Sequence, residues 1–243
     1  MIIKAVIAAA GKGTRMLHLS KDRPKHLIAV NEKPFLYYVL ENLKKAGIKK
    51  MIIVVGYKKE AMEKFAEEYK NEFNITLVDQ FENRGADRYG TAIPIEAVRK
   101  TVGNEPFISI YGDNLYSPKD IAKFAKDSDY NYIGVMENEN PEKYGVAVAD
   151  ENDILVRIVE KPKEFVSNMI NTGIYTFTPE VFEVLPKDKS PRGEYELTDA
   201  IQKLAEKKRV KIIRLAGGWM DFGNPDDIIK VSEFLNKNKE STR

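Results

Sequence analysis

Ile2-Ile3-Lys4-Ala5-Val6-Ile7-Ala8-Ala9-Ala10-Gly11-Lys12-Gly13-Thr14-Arg15 is the stretch whose reading decides the fold. A run of Ile, Val and Ala that stops at glycines predicts a buried parallel strand feeding a loop. Open α/β sheets take their ligands beyond the carboxyl ends of such strands. Gly11 and Gly13 let the backbone approach a ligand and turn its N–H groups toward an anion. Arg15, and later Pro24-Lys25, add two cations to the same connection. Together these residues predict a phosphate site. Gly-x-Gly alone is weak: a dinucleotide fingerprint needs a third glycine where Met16 stands, and a P-loop needs Lys adjacent to Ser/Thr, whereas Lys12 lies between the glycines.

Working outward, Leu36, Val39, Leu40 and Leu43 form one stripe between Pro34 and Gly47, which predicts a helix over 34–46. Strands are predicted at 51–55 and 75–78, with a helix between them carrying Met62, Phe65, Ala66 and Tyr69. This β-α-β-α-β rhythm predicts an α/β fold with a doubly wound, mostly parallel sheet. Residues 79–92 break the rhythm and read as a polar loop, either a flap over the substrate or a surface excursion, before a helix to Lys100. A strand at 106–111 ends in Gly112-Asp113-Asn114, which puts Asp113 at the same sheet edge as the first loop. One aspartate beside phosphates is a common Mg²⁺ ligand, and a turn cap is the plain alternative.

From Asn131 the strands come closer together (132–136, 145–149, 154–159, 169–177), predicting a more antiparallel half beside the first. Pro162 predicts extended backbone at Lys161. A helix with Leu197, Ile201 and Leu204 on one face, a strand at 210–215 and a last helix through Ile228, Val231 and Leu235 follow. A second isolated aspartate, Asp221, lies between the only Trp, Trp219, and Gly223.

Composition narrows the function classes. The 243 residues carry 39 basic and 37 acidic side chains, a net charge of +2 that calls for neither nucleic acid nor an acidic membrane. The absence of cysteine excludes disulfides, thiolate metal sites and cysteine nucleophiles, and two histidines make a histidine metal cluster improbable. With no leader or apolar span in view, a cytoplasmic protein is expected.

Gly-x-Gly-Thr-Arg, Pro24-Lys25, Lys33-Pro34, Tyr144-Gly145-Val146 and Glu160-Lys161-Pro162, in this order, resemble the sugar-1-phosphate nucleotidylyltransferases. The resemblance runs from Gly11 to Gly223. It implies a three-layer Rossmann-like mixed sheet, with residues 1–130 as a nucleotide-binding half and 131–235 as a sugar-phosphate half of a single domain. It implies that Arg15, Lys25 and Lys161 act on the phosphates, and that Asp113 and Asp221 share Mg²⁺. Ala8, Ala10, Gly11, Gly13, Thr14, Gln80, Gly90 and Thr91 would hold the nucleotide. Asn114, Tyr144, Gly145, Glu160, Asn171 and Gly173 would hold the sugar phosphate. A nucleoside triphosphate, with uridine or thymidine suggested by Gln80, and glucose 1-phosphate are the implied substrates, and self-association is left open. Two departures concern the loop: His18-Leu19-Ser20 replaces the usual Pro-x-Thr, and Ala29 replaces another proline. No hexapeptide repeat follows, so the appended β-helix of many relatives is not expected. A cytidylyltransferase for another alcohol phosphate and a non-catalytic regulatory subunit are the rival readings. A nicotinamide oxidoreductase is disfavoured by Met16 and by the lack of a matching acidic residue after the second strand.

Overall fold

The first apolar run forms β1 (Lys4–Ala8), and every residue from Lys4 to Ile7 is buried. A computed structural model describes residues 1–85, 87–126 and 129–240. After β1 the chain turns through 3₁₀ segments, Thr14–Ser20 and Lys25–Leu27, and a hairpin of β2 (Ala29–Val30) and β3 (Lys33–Pro34). Helix α1 (Phe35–Lys45) follows Pro34 and buries Leu36, Val39, Leu40 and Leu43, the predicted stripe. Then come β4 (Lys50–Val55), α2 (Lys59–Glu68) and β5 (Ile75–Asp79).

The segment read as a polar loop carries a short helix, α3 (Gln80–Arg84). Its cause is local: the Asp79 carboxylate accepts from Phe81 N–H at 2.8 Å and Glu82 N–H at 3.2 Å, capping the first turn. The single helix expected to run to Lys100 is divided into α4 (Ile93–Ala97) and α5 (Arg99–Val102), because Val98 leaves helical geometry with ψ near 0°. Next are β6 (Phe107–Tyr111), β7 (Asn114–Tyr116) and α6 (Pro118–Phe124), which Ser117 caps by accepting from Asp120 N–H at 3.1 Å. The remaining elements are β8 (Asn131–Glu137), β9 (Gly145–Ala149), β10 (Leu155–Glu160), β11 (Met169–Phe177), α7 (Val181–Val184), α8 (Leu197–Glu206), β12 (Val210–Arg214), β13 (Trp219–Asp221) and α9 (Asp227–Glu240).

Nine strands make one sheet in the order β10-β9-β11-β6-β1-β4-β5, with β8 against β11 and β12 against β8. β6, β1, β4 and β5 are parallel, whereas β11 runs antiparallel to β6, β8 and β9. The mixed sheet is continuous through the β6–β11 ladder. Alternate residues divide between two cores: Ala5, Ile7, Ile53 and Val55 pack toward α1 and α2, and Val6, Ile52 and Val54 toward α4 and α8. That is the period-2 alternation of a strand covered on both faces. β7 and β13 form a separate antiparallel ribbon in which Asp221 is opposite Asn114.

Candidate active site

The carboxyl ends of β1, β4, β5 and β6 share one edge, and the loop after β1 opens onto it. The Ala8 carbonyl accepts from Gly112 N–H (2.9 Å) and the Ala10 carbonyl from Tyr57 N–H (3.3 Å), so both tie the loop to neighbouring strand ends. Gly11, Thr14 and Arg15 are exposed. Gly13 has φ +63°, and a Cβ there would lie 3.0 Å from Lys25 Cβ, so the glycine lets the lysine stem pack on the loop. Ser20 stands in the threonine position of the usual Pro-x-Thr. It is buried, and its hydroxyl donates to Gly13 O at 2.9 Å, closing the loop without the proline.

Lys25 Nζ donates to Asp113 Oδ2. Asp113 O accepts from Phe222 N–H at 2.8 Å, and the β7–β13 ribbon brings Asp221 to the same place. A Cβ on Gly223 would lie 3.4 Å from Asp221 Oδ2 and 3.6 Å from the Arg15 guanidinium, so carboxylate and guanidinium converge over that glycine. The two carboxyls titrate in opposite directions. Burial opposes ionisation of Asp113, but the Lys25 charge and hydrogen bond outweigh it and hold the carboxyl below its usual range. Burial, and then the Asp113 charge, push Asp221 up to about 6. Two neighbouring carboxylates, one of them raised by burial and by the charge of the other, are a donor set suited to a hard divalent cation. Among the described residues no group of three or more candidate metal ligands exists, so further donors would have to be substrate oxygens and water.

His26, which the sequence reading passed over, is buried beside this pair. Burial, followed by the Lys25 charge, lowers it to about 4, so it is neutral at pH 7. Its adjacency to Lys25 was the only available signal.

Across the ribbon lies a cleft of 240 Å³. Arg15, Thr91, Asp113, Asn114, Tyr144, Gly145, Glu160, Lys161, Asn171 and Asp221 line it, and these are expected site residues from seven separate stretches of chain. Tyr111, Lys143, Thr172 and Trp219 line it too and were missed, although Tyr111 ends the strand before Asp113 and Trp219 lies two residues before Asp221. A register shift in β11 between Asn171 and Tyr175 shapes the wall. Asn171 accepts from Gly173 N–H at 3.0 Å and donates to the Tyr175 hydroxyl at 2.7 Å. Gly173, at φ +81°, faces Tyr111: a Cβ there would be 2.4 Å from the ring.

Glu160 is paired with Arg192 at 3.2 Å, yet burial raises its carboxyl against the Lys161 and Arg192 charges. Lys161 is not extended as Pro162 led us to expect: its φ is +43°. Its N–H donates to Tyr144 O at 3.0 Å, so the chain keeps one more contact with the β9 entry and turns out of the strand in left-handed backbone.

Gln80 and Gly90 lie outside the cleft. Gln80 is buried, and its Oε1 has no hydrogen-bond partner among the described residues. Gly90 is folded against the second half of the chain: a Cβ would sit 2.3 Å from Tyr195 O. Tyr195 N–H donates to Tyr89 O (3.0 Å) and Ala92 N–H to Tyr195 O (2.9 Å). Thr91 Oγ1 accepts from Leu197 N–H at 2.8 Å, capping α8. Lys33 lies over the Tyr37 and Tyr69 rings, at 4.8 and 5.2 Å from their centroids, away from the cleft. A larger hollow of 850 Å³ between residues 137–142 and 162–168 is lined by Glu137, Glu139, Glu142 and Glu164, with Lys163 as its single cation.

Residues 4–238 match the model of the nucleotidyl transferase family. The chain belongs to that family. It is 37% identical over 233 residues (95% of this chain, 54% of the relative) to the bifunctional protein GlmU of Methanocaldococcus jannaschii. To the UTP–glucose-1-phosphate uridylyltransferase AglF of Haloferax volcanii it is 34% identical over 233 residues, 93% of each chain. A UDP-glucose pyrophosphorylase solved with UDP-glucose superimposes with a TM-score of 0.83 at 28% identity, covering 98% of this chain and 100% of that one. The chain thus spans about half the length of the bifunctional relatives and nearly all of AglF. The mixed, helix-flanked sheet of this nucleotidyl transferase is the fold of its structural neighbours. None of the described helices is long and apolar enough to cross a membrane.

Proposed function

We propose that this nucleotidyl transferase moves a nucleotidyl group from a nucleoside triphosphate, UTP or dTTP, to glucose 1-phosphate, giving a nucleoside diphosphate sugar and pyrophosphate in the cytoplasm. One observation carries the reading: Arg15, Lys161, Asp113, Asp221 and the Tyr144-Gly145-Glu160 group, far apart in sequence, line one cleft at the sheet's carboxyl edge. The uridylyltransferase and UDP-glucose pyrophosphorylase likenesses support the choice of substrates.

A sugar-phosphate oxygen is already an anionic nucleophile, so no general base is needed. It attacks the α-phosphorus in line. The new O–P bond forms as the bond to the bridging oxygen breaks, and pyrophosphate leaves with that electron pair. The enzyme has to align two polyanions and stabilise developing charge. Main-chain N–H groups around Gly11 and Gly13, with Thr14, cradle the triphosphate. Arg15 holds the departing pyrophosphate through its planar, permanently charged fork. Lys25 serves the α-phosphate and Lys161 the sugar phosphate. Gln80, Gly90 and the strand end at Ala8 and Ala10 enclose the nucleoside in the first half of the chain. Asn114, Asn171, Gly173 and Glu160 meet sugar hydroxyls in the second. Asp113 and Asp221 would hold Mg²⁺, which when bound supplies positive charge to the phosphate oxygens.

Pyrophosphate release across a panel of nucleoside triphosphates and hexose 1-phosphates, with Mg²⁺, tests the reading. Turnover confined to uridine or thymidine triphosphate with glucose 1-phosphate, and about 10²–10³-fold lower in Asp113→Asn, is expected. No turnover in any combination, from folded protein that binds a nucleotide, would overturn it in favour of a regulatory role.

A further inference from the structure

We propose that Asp120 and Asp227, two buried carboxylates outside the cleft, are positioning residues that fix the segment carrying Asp221 against Asp113. This rests on the reading of Asp113 and Asp221 as the cation-holding pair.

The β7–β13 ribbon has three residues in each strand and lies off the main sheet. An isolated two-stranded ribbon is marginal in water even when longer. This one must also hold two like charges side by side. Each end of its second strand is tied to a carboxylate. Before β13, Asp120 accepts from Ala216 N–H (3.1 Å) and Gly217 N–H (2.6 Å), and Ser117 Oγ and Lys123 Nζ donate to it at 3.0 and 2.7 Å. After β13, Asp227 accepts from Gly223 N–H (3.0 Å) and Asn224 N–H (2.8 Å). Asp120 is 1% exposed and Asp227 8%.

The contacts leave little slack. A Cβ on Gly217 would come within 2.1 Å of Ser117 Oγ and 2.8 Å of Asp120 Oδ2, so the main chain is drawn against the carboxylate as closely as glycine permits. Between the two ties, Phe222 is stacked on Phe35 with centroids 4.3 Å apart. Charge-assisted bonds to main-chain donors are strong and directional. Four of them bracket residues 218–222. Neither carboxylate lines the cleft, so neither touches the bound substrates; both act on the segment that carries Asp221, to whose surroundings Asp227 also adds its charge.

The test compares the dissociation constant of UTP in EDTA with that in Mn²⁺, by calorimetry, for wild type, Asp221→Asn, Asp120→Asn and Ser117→Ala. Wild type should bind more tightly with Mn²⁺, and Asp221→Asn should lose that gain; if it does not, the underlying reading of the pair fails first. Asp120→Asn should weaken the Mn²⁺-dependent gain about tenfold, as loss of a supporting contact around a metal site does, with the EDTA value within twofold of wild type. Raising Mn²⁺ should restore binding. Ser117→Ala, which keeps the carboxylate and removes one donor, should move the same quantity by a few-fold and serves if Asp120→Asn does not fold. An unchanged Mn²⁺-dependent gain in a folded variant, whatever its thermal stability, overturns the proposal.

Discussion

Asp221→Asn should stabilise the ligand-free protein at neutral pH while abolishing the metal-dependent transfer proposed above. The carboxyl is pushed from 3.8 to about 6, first by burial and then by the Asp113 charge. A folded value above the unfolded one means that the folded state holds the proton more tightly. The associated stability is therefore complete below the ordinary aspartate range and is lost as the pH rises through about 6. A shift of about two units at about 1.4 kcal/mol each amounts to about 3 kcal/mol forfeited by neutral pH. Asparagine has the shape of the protonated acid and carries no charge, so it should recover up to that amount. For a chain of this size, about 3 kcal/mol corresponds to roughly 6–12 °C in Tm. Thermal unfolding in EDTA from pH 4 to pH 8, variant minus wild type, cancels the titrating groups that do not interact with Asp221. The difference should be small near pH 4, grow through pH 6 and level off above pH 7. A difference that is flat across this range, or a variant less stable than wild type at pH 7.5, would refute the reasoning.

Three further outcomes are expected. Gly90→Ala combines φ +141° with a Cβ 2.3 Å from Tyr195 O; main-chain atoms on both sides must move, and denaturant unfolding should show a loss of about 3 kcal/mol or more. Ser20→Ala removes the hydroxyl bond to Gly13 O and should cost about 1 kcal/mol; steady-state kinetics should show KM for the triphosphate raised a few-fold with kcat near wild type. Phe222→Ala empties a fully buried site stacked on Phe35 and should cost about 3–5 kcal/mol by chemical denaturation.

The sequence is most legible where structure is local or periodic. β1 and its glycines, the stripe of α1, and Asp113 just beyond β6 follow from patterns visible in the chain, and so does their common edge. Lys161 was misjudged because the rule for a residue before proline considers only that neighbour, whereas the N–H bond to Tyr144 O sets the turn. Helix α3 had a signal, Asp79 with Glu82 three residues on, which the surrounding glycines and charges obscured. The Gly90–Tyr195 junction and the β7–β13 ribbon had none. Both are pairings of segments about a hundred residues apart, and three-residue strands are too short for periodicity to register. Thr91 illustrates the same limit: a nucleotide role was expected, and its hydroxyl also caps a helix in the other half of the chain.

The junction at Gly90 has an evolutionary consequence. Its rungs join N–H and C=O groups of Tyr89, Ala92 and Tyr195, atoms that almost every amino acid supplies. Drift in those side chains leaves the rungs in place. Proline at 92 or 195 would delete a donor, and any side chain at 90 would strike main chain. The two halves can therefore diverge in sequence without renegotiating how they meet, while a single position without a side chain holds a veto over both.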